Sequence, residues 1–533
     1  MTREDIYECA RGLLEAGRLG NVTLAEYKEY RARLFEVDGV ENVRAQLEYF
    51  MEEREGDPDR PFGGWCFRGE DRPLFIDLNG KGAEVVVPVR LAEAVRVREG
   101  IVKFENGKDA FSRFYYKDGV YLPCPDERLA ELLTTAIRDY NPELYKGSAV
   151  KEAAGYIDRC APLGDVSRLD EKESLVVFGN GTLWLGDMKL RHHERDDYAT
   201  VKLHAAWREE DVPTPVFTAF LRRLCGGDRE KMRLLMQFLG LCLTNVPGWR
   251  IKKALFLYGD GNTGKSVLRG FIERLLGADN YTNMDLQTLE EDKFAAAQLF
   301  GKRLAGSSDM GYMKVRQLAL FKQLTGGDQI FAQHKGKTPF TFRYRGFLWF
   351  CMNEPPAFGG DRGDWVYDRM ILFPCGDALP ENERDPRLAE KLWAERDGIA
   401  RRLILAAKSV IDGGCRLDLP DCLKENKVAY RRKNDPVEQF FVTCCRIRPT
   451  PEISPLDECT CKNVFEVFKN WCRDNAPGYP PKKGEFRKTV AGLLCMPEEE
   501  MVLKTMKTTY YTFFLTDEVI REYGNDLFLK RNI

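Results

Sequence analysis

Hydrophobic and polar positions along the 533 residues follow two periods, and the switches between them mark out the elements. Residues 1 to about 55 carry apolar positions at helical spacing, among them Ile6, Leu13, Tyr27, Tyr30, Leu34, Leu47 and Phe50. A charged, proline-containing stretch, 53–60, reads as a linker. Short apolar runs follow at 73–76 and 83–88. The segment 114–121 alternates around Asp118-Gly119 and predicts a strand, a tight turn and a strand. Helical patterns start at Asp126. The run 175–185 predicts a second hairpin about Asn180-Gly181, and helices are expected over 217–224 and 231–243. A pure apolar run, 254–258, reads as a buried strand, and 267–276 as the helix after it. Another buried strand is expected at 347–353. After Asp412-Gly413-Gly414 come helical stretches at 437–445 and 461–475, a basic helix near 484–494 and a strand-like run at 506–515.

Composition narrows the class. Forty-four per cent hydrophobic and 31% charged residues describe an ordinary globular chain, too long for one core and long enough for roughly three or four domains. No apolar run approaches the ~20 residues of a membrane span, and Met1-Thr2-Arg3-Glu4-Asp5 lacks the features of a secretory leader. The expected location is the cytoplasm of a bacterial or phage-infected cell, with no membrane partner. The 16 cysteines are scattered, and the cluster Cys444, Cys445, Cys459, Cys461 and Cys472 has poor zinc spacing. With four histidines in all, no metal centre based on those residues is expected. The N-terminal third offers Asp77-Leu78-Asn79 but no clustered carboxylates for two metals, which argues against nucleotide polymerisation. Net charge is −2, so the whole chain does not announce a polyanionic partner. Residues 302–345, however, hold nine Lys/Arg against two Asp.

The candidate chemistry sits between the strand 254–258 and the helix 267–276. Gly259-Asp260-Gly261-Asn262-Thr263-Gly264-Lys265-Ser266 has the G-x-x-x-x-G-K-S spacing of a phosphate-binding loop, in the strand–loop–helix context that loop requires. Glycines let successive backbone N–H groups point at a phosphate, and the helix N-terminus adds partial positive charge. Lys265 would reach the β- and γ-phosphates of ATP, and Ser266 would ligate Mg²⁺.

Residues from about 86 to 440 resemble the helicase half of phage- and plasmid-type primase–helicases, superfamily 3 members of the AAA+ class, of which poxvirus proteins are also members. The hairpin before a helical region, the motif 259–266 and four downstream segments carry the resemblance, in the family's order. Lys302-Arg303-Leu304-Ala305-Gly306-Ser307-Ser308-Asp309 resembles the Walker B strand, with Asp309 where the family has Glu; Asp309 would share Mg²⁺ with Ser266 and polarise the attacking water. Phe321-Lys322-Gln323-Leu324-Thr325-Gly326-Gly327-Asp328 is similar to the motif preceding a channel hairpin. That implies DNA-backbone contacts for Lys322, His334, Lys335 and Lys337. Asn353 resembles the sensor 1 amide, and Arg369 the arginine finger supplied to a neighbouring subunit, with Arg362 a second candidate.

The implied fold is an α/β P-loop AAA+ core, with a helical to α+β N-terminal region and a C-terminal winged-helix domain. The implied boundaries are an accessory region 1–85, a collar domain 86–245, an ATPase domain 246–415, and a linker with the winged helix, 416–533. The implied activity is ATP-dependent DNA unwinding by a homo-oligomeric ring, typically a hexamer. It would move 3′ to 5′ on single-stranded DNA, with a separate primase or host polymerase as a possible partner. Outside the resemblance, the C-terminal cations Lys482, Lys483, Arg487, Lys488, Lys504 and Lys507 suit origin duplex phosphates, the alternative being an interaction module. Two other readings stay open: a non-unwinding initiator or loader on origin DNA, and an ATPase acting on proteins or small molecules.

Overall fold

The structure, a computed structural model, describes residues 73, 75–107, 110–315, 318–336, 338–358, 364–447, 460–476, 480–505 and 508–524. The expectations for residues 1–72, Lys337, Arg362, Cys459 and Lys507 lie outside the described residues. No helix among the described residues is long and apolar enough to cross a membrane. The chain divides into two compact units. Residues up to Lys172, with His192–Lys202, form the first; Glu173–Arg191, with the residues from Leu203 onward, form the second.

In the first unit a short antiparallel pair, Ile76–Leu78 with Glu84–Val86, leads into a helix, Pro88–Arg98. The apolar run 83–88 therefore stops being strand at Val86, because Pro88 sits at the first helical turn, where its fixed φ is suited and its missing N–H is not needed. A four-stranded sheet follows, in the order Val120–Pro123, Ala110–Lys117, Val102–Gly107, Leu163–Asp165. Its expected turn is present: Asp118 and Gly119 have φ of 48° and 95°, as a two-residue hairpin turn demands. Helices Asp126–Tyr140 and Gly147–Cys160 close the core through Leu129, Leu133, Ile137, Val150 and Ile157. Asp77 pairs with Arg90 at 2.9 Å, an ordinary surface ion pair.

The second unit is built on a five-stranded sheet. Numbered along the chain, its strands are β1 (Ala254–Tyr258), β2 (Tyr281–Asn283), β3 (Leu304–Gly306), β4 (Phe347–Met352) and β5 (Met370–Pro374). Their spatial order is β2-β3-β4-β1-β5, and every neighbouring pair is parallel. Parallel strands covered on both faces read as continuous apolar runs, and all six residues of β4 are buried. Four helices matter below: α1 (Pro215–Leu224), α2 (Arg229–Cys242), α3 (Lys265–Leu276) and α4 (Ala319–Gly326). Helix α2 packs so closely on the helix Arg396–Asp412 that a Cβ at Gly240 would run into the Leu403 carbonyl. The hairpin Leu175–Phe178/Gly181–Trp184 belongs to this unit, Leu203 donating to the Val177 carbonyl (2.8 Å) and His204 to Leu275 of α3 (2.8 Å).

The C-terminal segment gathers helices Pro436–Cys444, Cys461–Asn475 and Lys483–Leu493 with a hairpin, Val502–Lys504/Thr509–Tyr511, and a strand pair, Cys445–Ile447 with Phe513–Leu515. An aromatic core of Phe440, Phe468, Trp471, Phe486, Tyr511 and Phe513 holds it together, and Cys444, Cys445, Cys461 and Cys472 pack into it as small apolar residues. Burial pushes the thiols of Cys444 and Cys461 above their ordinary values.

Candidate functional site

The motif 259–266 leaves the carboxyl end of β1 and enters α3 directly. Gly259, Asn262 and Gly264 have φ of 146°, 63° and 100°, so the loop curls through the left-handed region that glycine tolerates best. Asp260, Gly261, Asn262 and Ser266 are exposed, whereas Thr263 and Lys265 are buried. The Lys265 ammonium donates to the Gly259 and Asp260 carbonyls, both at 2.7 Å, and to Thr263 Oγ1 at 3.3 Å. The loop is braced from behind. Cys375, just past β5, donates its N–H to Tyr258 and lies where a Cβ at Gly259 would be 3.2 Å from its own; Leu379 donates to the Asn262 carbonyl at 3.3 Å.

The ends of β3 and β4 converge on this loop. Ser266 Oγ lies 3.4 Å from the Ser308 carbonyl, so the turn bearing Asp309 abuts the start of α3. Asp309 is exposed and accepts no hydrogen bond from the described residues that would turn it away; its own N–H contacts Ser307 Oγ at 3.3 Å. Asn353, one residue beyond β4, is exposed at the same edge rather than buried with the strand.

Residues with no motif signature set this geometry. Gly306 (φ 133°) ends β3 where a Cβ would collide with the Trp349 carbonyl of β4. That carbonyl is instead taken by Arg269, wholly buried on α3, which also donates to Glu273 (2.8 Å) and Asn283 (3.1 Å). Beyond Gly306 the chains pair again, Cys351 donating to Ser307 and Met310 to Cys351, both at 2.8 Å. Arg269 thus ties the helix after the loop to β4, which leads to Asn353, and to Asn283 at the end of β2. Its sequence signal, a lone charge on an apolar helix face, does not distinguish it from a surface arginine.

The expected hairpin is present. Gln329–Ala332 pairs antiparallel with Phe340–Arg343; Ile330, Ala332, Phe340 and Phe342 point inward, and Phe331 stands 69% exposed. At its tip His334 and Lys335 are exposed, His334 stacks on Phe340 (5.7 Å), and Gly336 takes φ 74°. Not all of the basic run reaches this surface. Arg303 is buried and donates to the carbonyls of Leu241 (3.0 Å), Arg345 (2.8 Å) and Val246, closing the C-terminal end of α2. Lys302 and Arg345 also donate to main-chain carbonyls, of Asp279 and Asn245.

Lys322 does not join the tip. It lies on α4 at the base of the hairpin, its ammonium 5.0 Å above the Trp365 ring. Arg369 also lies over the same ring (5.7 Å) and donates to the Lys322 carbonyl (2.8 Å) and Thr325 Oγ1 (2.7 Å). Arg369 therefore turns back onto α4 instead of projecting freely. It precedes β5, at the amino edge of the sheet, opposite the loop.

Residues 257–369 match a model described as a family of unknown function, DUF5906, and residues 101–226 one described as D5 N terminal like. "Putative helicase 022R" of Frog virus 3 (isolate Goorha) is 25% identical over 256 residues, 44% of this chain and 26% of that protein. "Putative helicase 121R" of Invertebrate iridescent virus 3 is 23% identical over 379 residues, 63% of this chain and 39% of that protein. The likeness is to viral helicase-like proteins. The chain spans a quarter to two fifths of the length of these curated relatives. Solved structures of the NrS-1 C terminal region align at 13% identity with TM-scores of 0.42 and 0.44, covering 72% and 73% of this chain and 81% and 80% of those.

Proposed function

We propose that the protein is an ATP-dependent DNA helicase of the AAA+ superfamily 3 type, acting in replication of a phage, virus or mobile element. The observation that carries this reading is the convergence at one sheet edge: the 259–266 loop, Ser266 against the Ser308 carbonyl, and the exposed Asp309 and Asn353 at adjoining strand ends. In this reading the exposed N–H groups of the loop and α3 receive the phosphates, and Lys265 exchanges loop carbonyls for phosphate oxygens. Ser266 and Asp309 are exposed oxygen donors of the kind Mg²⁺ takes; they would hold it, and it would neutralise charge developing on the phosphates. Asp309 orients the attacking water and Asn353 hydrogen-bonds it or the γ-phosphate. Arg369, at the far edge of the sheet, serves a neighbouring subunit in a homo-oligomeric ring, and His334, Lys335 and Lys337 track the phosphates of one DNA strand. The C-terminal helices and hairpin form a winged helix that presents Lys482, Lys483, Lys488 and Lys504 to duplex.

A second reading is favoured by β3, which is three residues long and ends three residues before Asp309. A short carboxylate there suits a slow ATPase, and so an initiator or loader that binds origin DNA without unwinding it. Steady-state ATP hydrolysis with and without single-stranded DNA, together with strand displacement on a 3′-tailed duplex, decides between the two. Stimulated hydrolysis with displacement supports the helicase; hydrolysis or binding without displacement supports the initiator; no ATP binding sinks both.

A further inference from the structure

Helix α1 lies outside the motif-bearing segments, yet it covers the phosphate-binding loop. Its N-terminus lacks a side-chain cap of its own at Thr214; Glu395 supplies one, accepting from the N–H groups of Val216 and Phe217, both at 2.9 Å. Arg402 fastens the same turn, donating to Thr218 Oγ1 at 2.7 Å. So held, α1 brings Phe220 and Arg223, three residues apart and on one face, onto Gly264. A Cβ at Gly264 would be 2.7 Å from the Phe220 ring and 3.6 Å from Arg223 Nη2.

Arg223 is poorly satisfied there. Its Nη1 is buried and has no hydrogen-bond partner among the described residues. Burial pulls the guanidinium below its ordinary value, and Glu383 offsets this only in part. A buried donor without a partner costs free energy, and this one stands against the last glycine of a loop whose geometry suits phosphate. A guanidinium is a natural phosphate ligand, with planar paired donors.

We infer that Arg223 is a second cationic ligand for the bound nucleotide, supplied in cis by α1, whose Nη1 is completed by a phosphate oxygen. The inference rests on the proposed role of the 259–266 loop as the ATP site and adds a residue to it. It also gives α1 a function: Phe220 and Arg223 together form a wall against Gly264 of the loop.

The test is ATP·Mg binding to the full chain by calorimetry, with the unfolding temperature of each variant measured without nucleotide. Arg223→Met should weaken ATP binding about tenfold to a hundredfold, the worth of one charge-assisted hydrogen bond. Its nucleotide-free unfolding temperature should be unchanged or slightly raised, because Nη1 loses no protein partner. Arg223→Lys should keep most of the affinity. ATP binding by Arg223→Met within twofold of the unaltered protein overturns the inference. So does a weakened affinity matched by a clearly lower unfolding temperature, since that is what a purely structural arginine would give. Lys265→Ala separates the underlying reading: if the unaltered protein binds ATP and Lys265→Ala binds it equally well, the nucleotide site itself is elsewhere.

Discussion

Lys265 and Arg269 stand one helical turn apart on α3 and illustrate two uses of a buried cation. Lys265 is held by main-chain carbonyls of the loop it serves, contacts that a phosphate can replace. Lys265→Ala should therefore abolish measurable ATP binding while leaving a folded protein, which calorimetry and circular dichroism together would check. Arg269 is structural. Replacing it with Leu strands a Glu273 carboxylate that is 12% exposed and frees the Trp349 carbonyl. Breaking a buried pair from one side costs about 3–5 kcal/mol, so urea unfolding of Arg269→Leu should show a loss of that order. The double change with Glu273→Leu should recover part of it; a double variant no more stable than the single would mean the carboxylate is not the group left stranded.

At the scale of elements, strand β3 owes its shape to one glycine. Gly306→Ala combines a φ of 133° with a Cβ driven into the neighbouring main chain, so it should lower the unfolding temperature sharply. An unaltered unfolding temperature would show that the backbone around Gly306 relaxes freely. The hairpin after α4 is governed by alternation instead: Ile330 and Ala332 anchor it, and no acidic residue occurs from Gln329 to Arg345. If Lys335 and Lys337 each neutralise about one phosphate, their double alanine variant should flatten the salt dependence of single-strand binding by about 1.4 log–log units. Binding that keeps its full slope would place DNA on another surface.

At the scale of the whole molecule, the proposed finger role of Arg369 would make subunits depend on each other. The Arg369 carbonyl accepts from Ala254 N–H (2.7 Å), at the start of β1. The strand's five residues, about 13 Å at 3.3 Å per step, separate it from the loop beyond Tyr258. One side chain does not bridge that span, so Arg369 has no route to its own phosphate site. Arg369→Ala should keep ATP binding but lose hydrolysis by roughly 10³-fold or more. Mixed with Lys265→Ala subunits, which contribute intact arginines, it should regain part of the activity. Subunit exchange without any recovery would disprove action in trans. The contacts of Arg369 with Lys322 and Thr325 add a condition to that proposal: α4, at the base of the 329–343 hairpin, would have to release this side chain before it could serve a neighbour.

The sequence by itself determined what depends on neighbours along the chain. The 259–266 loop between strand and helix is local, because its spacing and glycine conformations set the curl of the backbone wherever that segment folds. The Asp118-Gly119 and Asn180-Gly181 turns, the inward alternation of Ile330 and Ala332, and the helices near 217–224 and 231–243 were legible for the same reason. Tertiary structure alone decided the rest. Nothing local says that Arg303, one of nine cations in a basic run, is consumed by helix-end carbonyls, or that Arg269 is wholly buried. Pairing Lys322 with Arg369 around Trp365 takes a contact across more than 40 positions of sequence. Placing Arg223 on Gly264 takes a helix from outside the motif region, docked through Glu395. Such contacts are chosen by how strands order in the sheet and where helices find carbonyls to satisfy, and those choices are made only when distant segments pack.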